Sequence, residues 1–156
     1  MEQRRAPRKQ VPTPVQIGTK PSVILLRGLL ARCPACGSRH VFRRFFIMSE
    51  RCPTCSLKFE RIEGHWIGSL GVNTTVIFGA MLVALATLTF TAYPEVNVAL
   101  MLVVEISIAL LGPLVFFPSS RMLWTAIDLL MRPLTAGEID PRFVEVDPYR
   151  DRPGAP

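Results

Sequence analysis

The four cysteines of this chain fall in two short turns, Cys33-Pro34-Ala35-Cys36 and Cys52-Pro53-Thr54-Cys55, with fifteen residues between the pairs. Two residues between cysteines let a tight turn aim both sulfurs at one point, and a second such turn completes a tetrahedron of thiolates. The pattern Cys-x2-Cys-x15-Cys-x2-Cys lies within the spacing of structural zinc sites. Four sulfur ligands at about 2.3 Å close the shell of Zn2+ and leave no position for water or substrate. Cys33, Cys36, Cys52 and Cys55 are therefore expected to hold zinc as a cofactor of shape. Redox pairs or disulfides are the competing use of such cysteines. A redox Cys-x-x-Cys sits near a βαβ pattern, and neither pair here has one around it.

Glu105 is the other residue whose type and place call for chemistry. It lies near the middle of a long apolar run, where an ionised carboxylate costs a few kcal/mol or more. It reads either as a proton or ion relay or contact to another membrane protein, or as a neutral acid hydrogen-bonded within the chain or to a second copy. Counting rise along the two apolar runs places it level with Gly79 and Ala80, whose small side chains would cover it. His40 and His65 could ligate a metal, but four cysteines already saturate one; His65-Trp66 reads as the junction between head and membrane. The chain has no Ser/His/Asp motif, carboxylate pair or glycine-rich phosphate loop. No catalytic residue is assigned, and the expectation is a protein that is not an enzyme.

The elements that must position these residues follow from an uneven charge distribution. Residues 1–66 hold thirteen of the eighteen Lys and Arg against four acids, whereas residues 67–117 hold no basic residue and only Glu95 and Glu105. Residues 1–21 read as a disordered basic tail, with four prolines and no apolar periodicity. Ser22 to Ala31 is apolar but too short to span, so it should lie on the membrane or on the zinc module. Residues 22–66 thus form a juxtamembrane segment and a β zinc ribbon, the metal replacing a core that about thirty residues cannot build. Leu57 and Phe59 alternate with Lys58 and Glu60 as in a half-buried strand. Gly37 suits the left-handed backbone after the first turn; Ser56, at the matching place, predicts a slightly strained second turn.

Residues 67–117 predict a two-helix transmembrane hairpin. Ile67–Tyr93 and Val96–Phe117 are each long enough to cross, joined by Tyr93-Pro94-Glu95. Pro113, helped by Gly112, should kink the second span. Lys and Arg flank the hairpin and avoid its turn, so both termini are expected in the cytoplasm of a cell inside its plasma membrane. A reducing compartment also keeps the thiols free. Residues 118–133 read as a separate C-terminal interfacial helix, with Arg121, Thr125, Asp128 and Arg132 facing water and Trp124 near the boundary. Residues 134–156 read as a second disordered tail.

Arg32, Arg39, Arg51 and Lys58 could offset the charge of about −2 on a four-thiolate zinc. Arg43, Arg44 and Arg61 are expected to face anionic lipid headgroups of the bilayer. Phe42, Phe45 and Phe46 could stack on nucleic-acid bases, but such phenylalanines serve a core more often than a stacking platform.

The chain resembles the uncharacterised bacterial membrane proteins grouped as domain of unknown function 983. The resemblance rests on Arg32-Cys-Pro-Ala-Cys-Gly37, the Phe-rich segment after it, Cys52-Pro-Thr-Cys55, Phe59, Glu63-Gly64, the two spans, and Ser120-Arg-Met-Leu-Trp-Thr-Ala-Ile-Asp-Leu-Leu130. It covers about residues 27–137 and departs at Ser56, where glycine is usual, and at His65. It implies the same architecture. Because some relatives are encoded beside respiratory-oxidase assembly genes, it also implies an assembly role.

The fold class expected is a membrane α-helical hairpin with a small N-terminal β zinc ribbon and a C-terminal interfacial helix. The function expected is that of a non-enzymatic interaction or assembly factor with an unidentified membrane protein partner. A membrane enzyme or transporter accessory using Glu105, and a membrane-tethered nucleic-acid binder, are the alternatives.

Overall fold

The structure, a computed structural model, describes residues 11–61, 63–135 and 137–145. Its elements are α1 (Thr13–Gln16), α2 (Pro21–Leu29), β1 (Phe42–Arg44), β2 (Ile47–Met48), α3 (His65–Ala92) and α4 (Val98–Met131), followed by a 3-10 turn at Pro141–Phe143. Two long apolar helices and a four-cysteine cluster flanking a small N-terminal two-stranded sheet give the expected outline.

The helices α3 and α4 are each long enough to cross a bilayer. Asn97 fixes where α4 starts: its side-chain oxygen accepts the Leu100 N–H at 3.1 Å, an N-cap that moves the start two residues beyond Val96. From Val98 to Ser119 no residue of α4 is buried, and in α3 only His65, Ser69 and Asn73 are, spaced by four on the face toward α4. Pro113 and Pro118 leave the carbonyls of Ala109 and Leu114 without helical donors, yet α4 stays helical through both. Beside this stretch Asn73 Nδ2 donates across the seam to the Pro113 carbonyl at 3.1 Å and to Ser120 Oγ at 3.4 Å.

The thirty-four residues of α4 rise about 51 Å, well beyond a bilayer core of about 30 Å. Its C-terminal third, beyond the length a bilayer core needs, packs as part of the head. Residues 118–131 are a continuation of α4 rather than a separate interfacial helix. The polar stripe read there as facing water is largely inside: Thr125 is 1% and Asp128 2% exposed. Met122, Ala126 and Leu129 are buried beside them against α2 and the cysteine module. Gly28 makes this packing close, since a Cβ there would lie 2.8 Å from the Met122 carbonyl and 2.9 Å from the Ala126 Cβ.

One apolar cluster unites the head. Cys33, Cys52 and Cys55 share it with Val41, Leu57 and Phe59, with Ile24 of α2, with Met122 and Leu129 of α4, and with Leu134 and Ile139 beyond it. Leu57 and Phe59 are wholly buried while Lys58 and Glu60 are exposed, as the alternation predicts. Burying each such large side chain contributes about 1.5–3 kcal/mol.

Described residues on both sides of the long helices join the head. Residues 11–20, expected to be part of a disordered tail, contain α1, and its Thr13 and Gln16 are buried. Gln16 Nε2 donates to the Leu134 carbonyl at 3.2 Å, and its oxygen accepts the Leu134 N–H at 2.9 Å. The Glu145 N–H returns to the Gln16 carbonyl at 2.7 Å. Leu134, Thr135 and residues 137–145, from the expected second tail, thus form a strap over the ribbon. The remaining parts of the two expected tails, 1–10 and 146–156, lie outside the described residues.

Candidate metal centre

Each cysteine pair sits in a knuckle made by its own backbone. In the first, the Cys33 carbonyl accepts the Gly37 N–H at 2.8 Å, and the Cys33 N–H donates to Ser38 at 2.9 Å. In the second, the Cys52 carbonyl accepts the Ser56 N–H and the Cys52 N–H donates to Leu57, both at 2.9 Å. Residue five of each knuckle takes the left-handed conformation, with φ +79° at Gly37 and +58° at Ser56. Ser56 therefore carries the strain read from its lack of glycine's freedom.

The two knuckles face each other. Cys33 Sγ lies 3.6 Å from Cys55 Sγ, Cys36 Sγ lies 3.6 Å from Cys52 Sγ, and all four sulfurs fall within 4.8 Å of one another. A tetrahedron of sulfurs at about 2.3 Å from a metal has edges of about 3.8 Å. The donor set fits a soft divalent ion in a closed shell. Among the described residues it is the group of ligand-type side chains close enough to share an ion. His40 and His65 are not in it.

The sulfurs lie close enough to shift one another's protonation. Hydrogen bonding with Cys36, then with Cys52 and Cys55, pushes the Cys33 thiol far above its ordinary value, and burial adds to it. The Cys33 contact pulls Cys55 down, but Cys52 and burial outweigh it and carry Cys55 up to about 12. Hydrogen bonds from Cys33 hold Cys36 down to about 7, and those from Cys33 and Cys55 put Cys52 well below its usual range. A metal ion bound by all four as thiolates would displace the protons they carry, so binding should strengthen as pH rises.

Of the basic residues read as neighbours of the site, Arg51 does support it, and Arg27, which was not among them, does so as well. Arg27 of α2 reaches the first knuckle and donates from Nη1 to the Pro34 and Ala35 carbonyls. At the second knuckle, Arg51 Nη1 donates to the Ser56 and Gly137 carbonyls, each at 3.2 Å. The strap adds two more bonds there: the Lys58 N–H to the Glu138 carbonyl at 2.9 Å, and the Asp140 N–H to the Cys55 carbonyl at 2.8 Å.

Arg61, expected at the lipid surface, is instead a buried clamp with its side chain 5% exposed. Its Nε and Nη2 grip both oxygens of Glu138 at 3.1 and 2.9 Å. Nη1 donates to Asp128 Oδ2 and the Arg132 carbonyl, both at 3.1 Å, and Nη2 to the Pro133 carbonyl at 2.8 Å. These five bonds use all five guanidinium donors. Burial acts to raise the Glu138 carboxyl, but the Arg61 hydrogen bonds and the Thr135 N–H outweigh it and hold the group below its usual value. Asp128 and Arg61 are sixty-seven residues apart, so periodicity within either segment carried no signal of the pair.

His65, read as the junction between head and membrane, opens α3 and packs against α4. Thr125 Oγ1 donates to the Arg121 carbonyl at 3.0 Å and so accepts from His65 Nε2 at 3.4 Å. Nearby, the ring of Trp124 covers Gly68 so closely that a Cβ there would overlap it.

Glu105 lies apart from all this, half-buried on the α3–α4 seam, with Oε1 enclosed and without a hydrogen-bond partner. Ile77 packs beside Gly112. Seven residues on along each helix, Glu105 is level with Ala84 rather than with Gly79. A Cβ at Gly79 would meet nothing within 4 Å, so that glycine does not cover the carboxyl.

No curated protein and no solved structure matches the chain. A family model described as protein of unknown function (DUF983) matches residues 42–128, from the first strand through the second cysteine pair and both long helices to Asp128. The match covers more than half of the 156 residues, and the chain belongs to that family.

Proposed function

We propose that the protein is a membrane-anchored zinc ribbon that works without catalysis, as an interaction or assembly factor for another membrane protein. The observation that carries this reading is the closed set of four sulfurs, three of them on buried cysteines. A metal with four thiolates has no free position for substrate or water, so it holds shape. The shape it holds is a head fused to two helices whose apolar faces the chain leaves bare. The lipid bilayer of the plasma membrane is the surrounding proposed for those faces. The lack of Lys and Arg between the spans supports cytoplasmic termini. A respiratory membrane complex is the client that the family resemblance suggests.

A second reading rests on Glu105. An enclosed carboxyl oxygen without a partner supports a polar contact to another membrane protein, to a second copy of this chain, or a proton-handling role in a membrane enzyme or transporter.

Photo-crosslinking in native membranes tests the first reading. Probes on the head should give one discrete adduct with a membrane protein, and that adduct should fall at least tenfold in Cys52→Ser, whose head has lost its metal. An adduct that persists without the metal, or an activity abolished by Glu105→Gln while the adduct stays intact, sinks the head-based reading in favour of the second.

A further inference from the structure

The loop joining β1 to β2 has two residues, because Arg44 pairs with Ile47. Loops of that length normally carry Asn, Asp or Gly; here they are Phe45 and Phe46. Phe45, Phe46 and Ile47 are each more than half exposed, at 52%, 55% and 52%. The two rings meet edge to face at 5.0 Å, and Phe46 then meets Phe117 of α4 at 5.3 Å. Phe117 ends the unburied apolar stretch of α4, just before Pro118 and the buried Ser120. The hairpin tip is therefore continuous with the outer surface of the long helices, at the level where that surface gives way to the head.

Charge marks the same place. Arg43 and Arg44 on β1 are exposed, and among the described residues neither pairs with a carboxylate. The groove behind the tip carries both signs, Lys58, Arg61 and Arg121 against Glu50, Glu60 and Glu63. The unbalanced positive charge at this end thus comes from Arg43 and Arg44. Aromatic and aliphatic side chains beside unpaired arginines fit the boundary between acyl chains and anionic headgroups.

We infer that Phe45, Phe46 and Ile47 form a wedge inserted into the cytoplasmic leaflet, with Arg43 and Arg44 on anionic phospholipid headgroups. The bilayer is then a third support of the head, beside the metal and α4. This rests on the membrane-anchored reading.

The test uses the full chain carrying Phe45→Trp, reconstituted in vesicles containing phosphatidylglycerol, with wild type as the reference for Trp66 and Trp124. The added fluorescence should be blue-shifted, quenched at least twofold by lipids brominated on their acyl chains, and little affected by iodide in the buffer. In the background of Arg43→Gln and Arg44→Gln the bromolipid quenching should fall about twofold, and no fall would remove the anionic-headgroup part. A red-shifted added signal, quenched by iodide and blind to bromolipid, in a chain that resists alkaline carbonate extraction from the vesicles, overturns the wedge and leaves the tip free for a protein partner. Extraction by carbonate overturns the anchored hairpin itself, so the two failures are separable.

Discussion

At the first cysteine knuckle, outside support comes from α2, whose Arg27 donates to the carbonyls of Pro34 and Ala35. At the second it comes from the strap, where Gly137, Glu138 and Asp140 bond to Arg51, Lys58 and Cys55. The knuckles are alike inside: each has the same two backbone bonds and the same left-handed fifth residue. They differ in which end of the chain secures them. One is tied to a helix that precedes both long helices, the other to a segment that follows them. A metal shared by the knuckles would therefore link the α2 support to the strap support, adding to the direct bonds that already join the segments before and after the two long helices.

Removing the metal should have the largest effect and should abolish the difference between the knuckles. Structural zinc in comparable peptides binds with about 10–16 kcal/mol apparent free energy, all of it available only to the folded site. Purified protein should carry about one zinc per chain. Cys33→Ser and Cys55→Ser should each lose it, and protease should then cut the head while α3 and α4 remain protected in detergent. Metal retained in one mutant and lost in the other would mean that the knuckles do not form one site.

Breaking the clamp should act on the second knuckle alone. Arg61→Leu strands the buried Asp128 carboxylate and frees Glu138, a loss of about 3–5 kcal/mol for a buried pair broken on one side. Hydrogen exchange should speed up at the Lys58 and Asp140 amides, which the strap protects, and stay slow at Cys33. Acid should imitate the mutation. The Glu138 carboxyl is held below its ordinary 4.5, so its contribution is complete above about that pH. It is lost as pH falls through the lower folded value. Faster exchange at Cys33 in Arg61→Leu at neutral pH would show that the two supports are not independent.

This division explains what could be read from the residues in advance. The knuckles and the long helices are local patterns: ligand spacing within four residues, apolar runs within thirty. Their places follow from chain geometry, so sequence sufficed. The supports are pairs of distant residues, Arg61 with Asp128 and Glu138, and Gln16 with Leu134, separated by 67, 77 and 118 residues. A stripe of Thr125, Asp128 and Arg132 looks the same whether it faces water or a buried guanidinium. Reading it as a wet face made α4 end at Pro118 and put Arg61 at the lipid surface. Proline at 118 removes one N–H and frees one carbonyl, a defect that a long helix packed against a neighbour can carry. Gln16 gave no signal at all, because a single glutamine in a proline-rich stretch has no periodicity to betray its burial.

The smallest effect expected separates the knuckles by one side chain. Ser56 holds φ +58° with a Cβ that crowds its own carbonyl, and Gly37 holds φ +79° without one. Ser56→Gly should remove that crowding at a cost of greater freedom in the unfolded chain. The net gain should be about 1 kcal/mol, seen as a higher midpoint for denaturation of the metal-loaded head. Gly37→Ser should lose more than Ser56→Gly gains. Besides the backbone strain, a Cβ at Gly37 would stand 3.2 Å from Arg27 Nε and press on the guanidinium that anchors this knuckle. The asymmetry follows from the supports: Arg27 crosses beside residue 37, whereas Arg51 meets the second knuckle at the Ser56 carbonyl and leaves its side chain exposed. Equal and opposite shifts for the two substitutions would mean that Arg27 exerts no pressure at Gly37, and that the knuckles differ only in backbone strain.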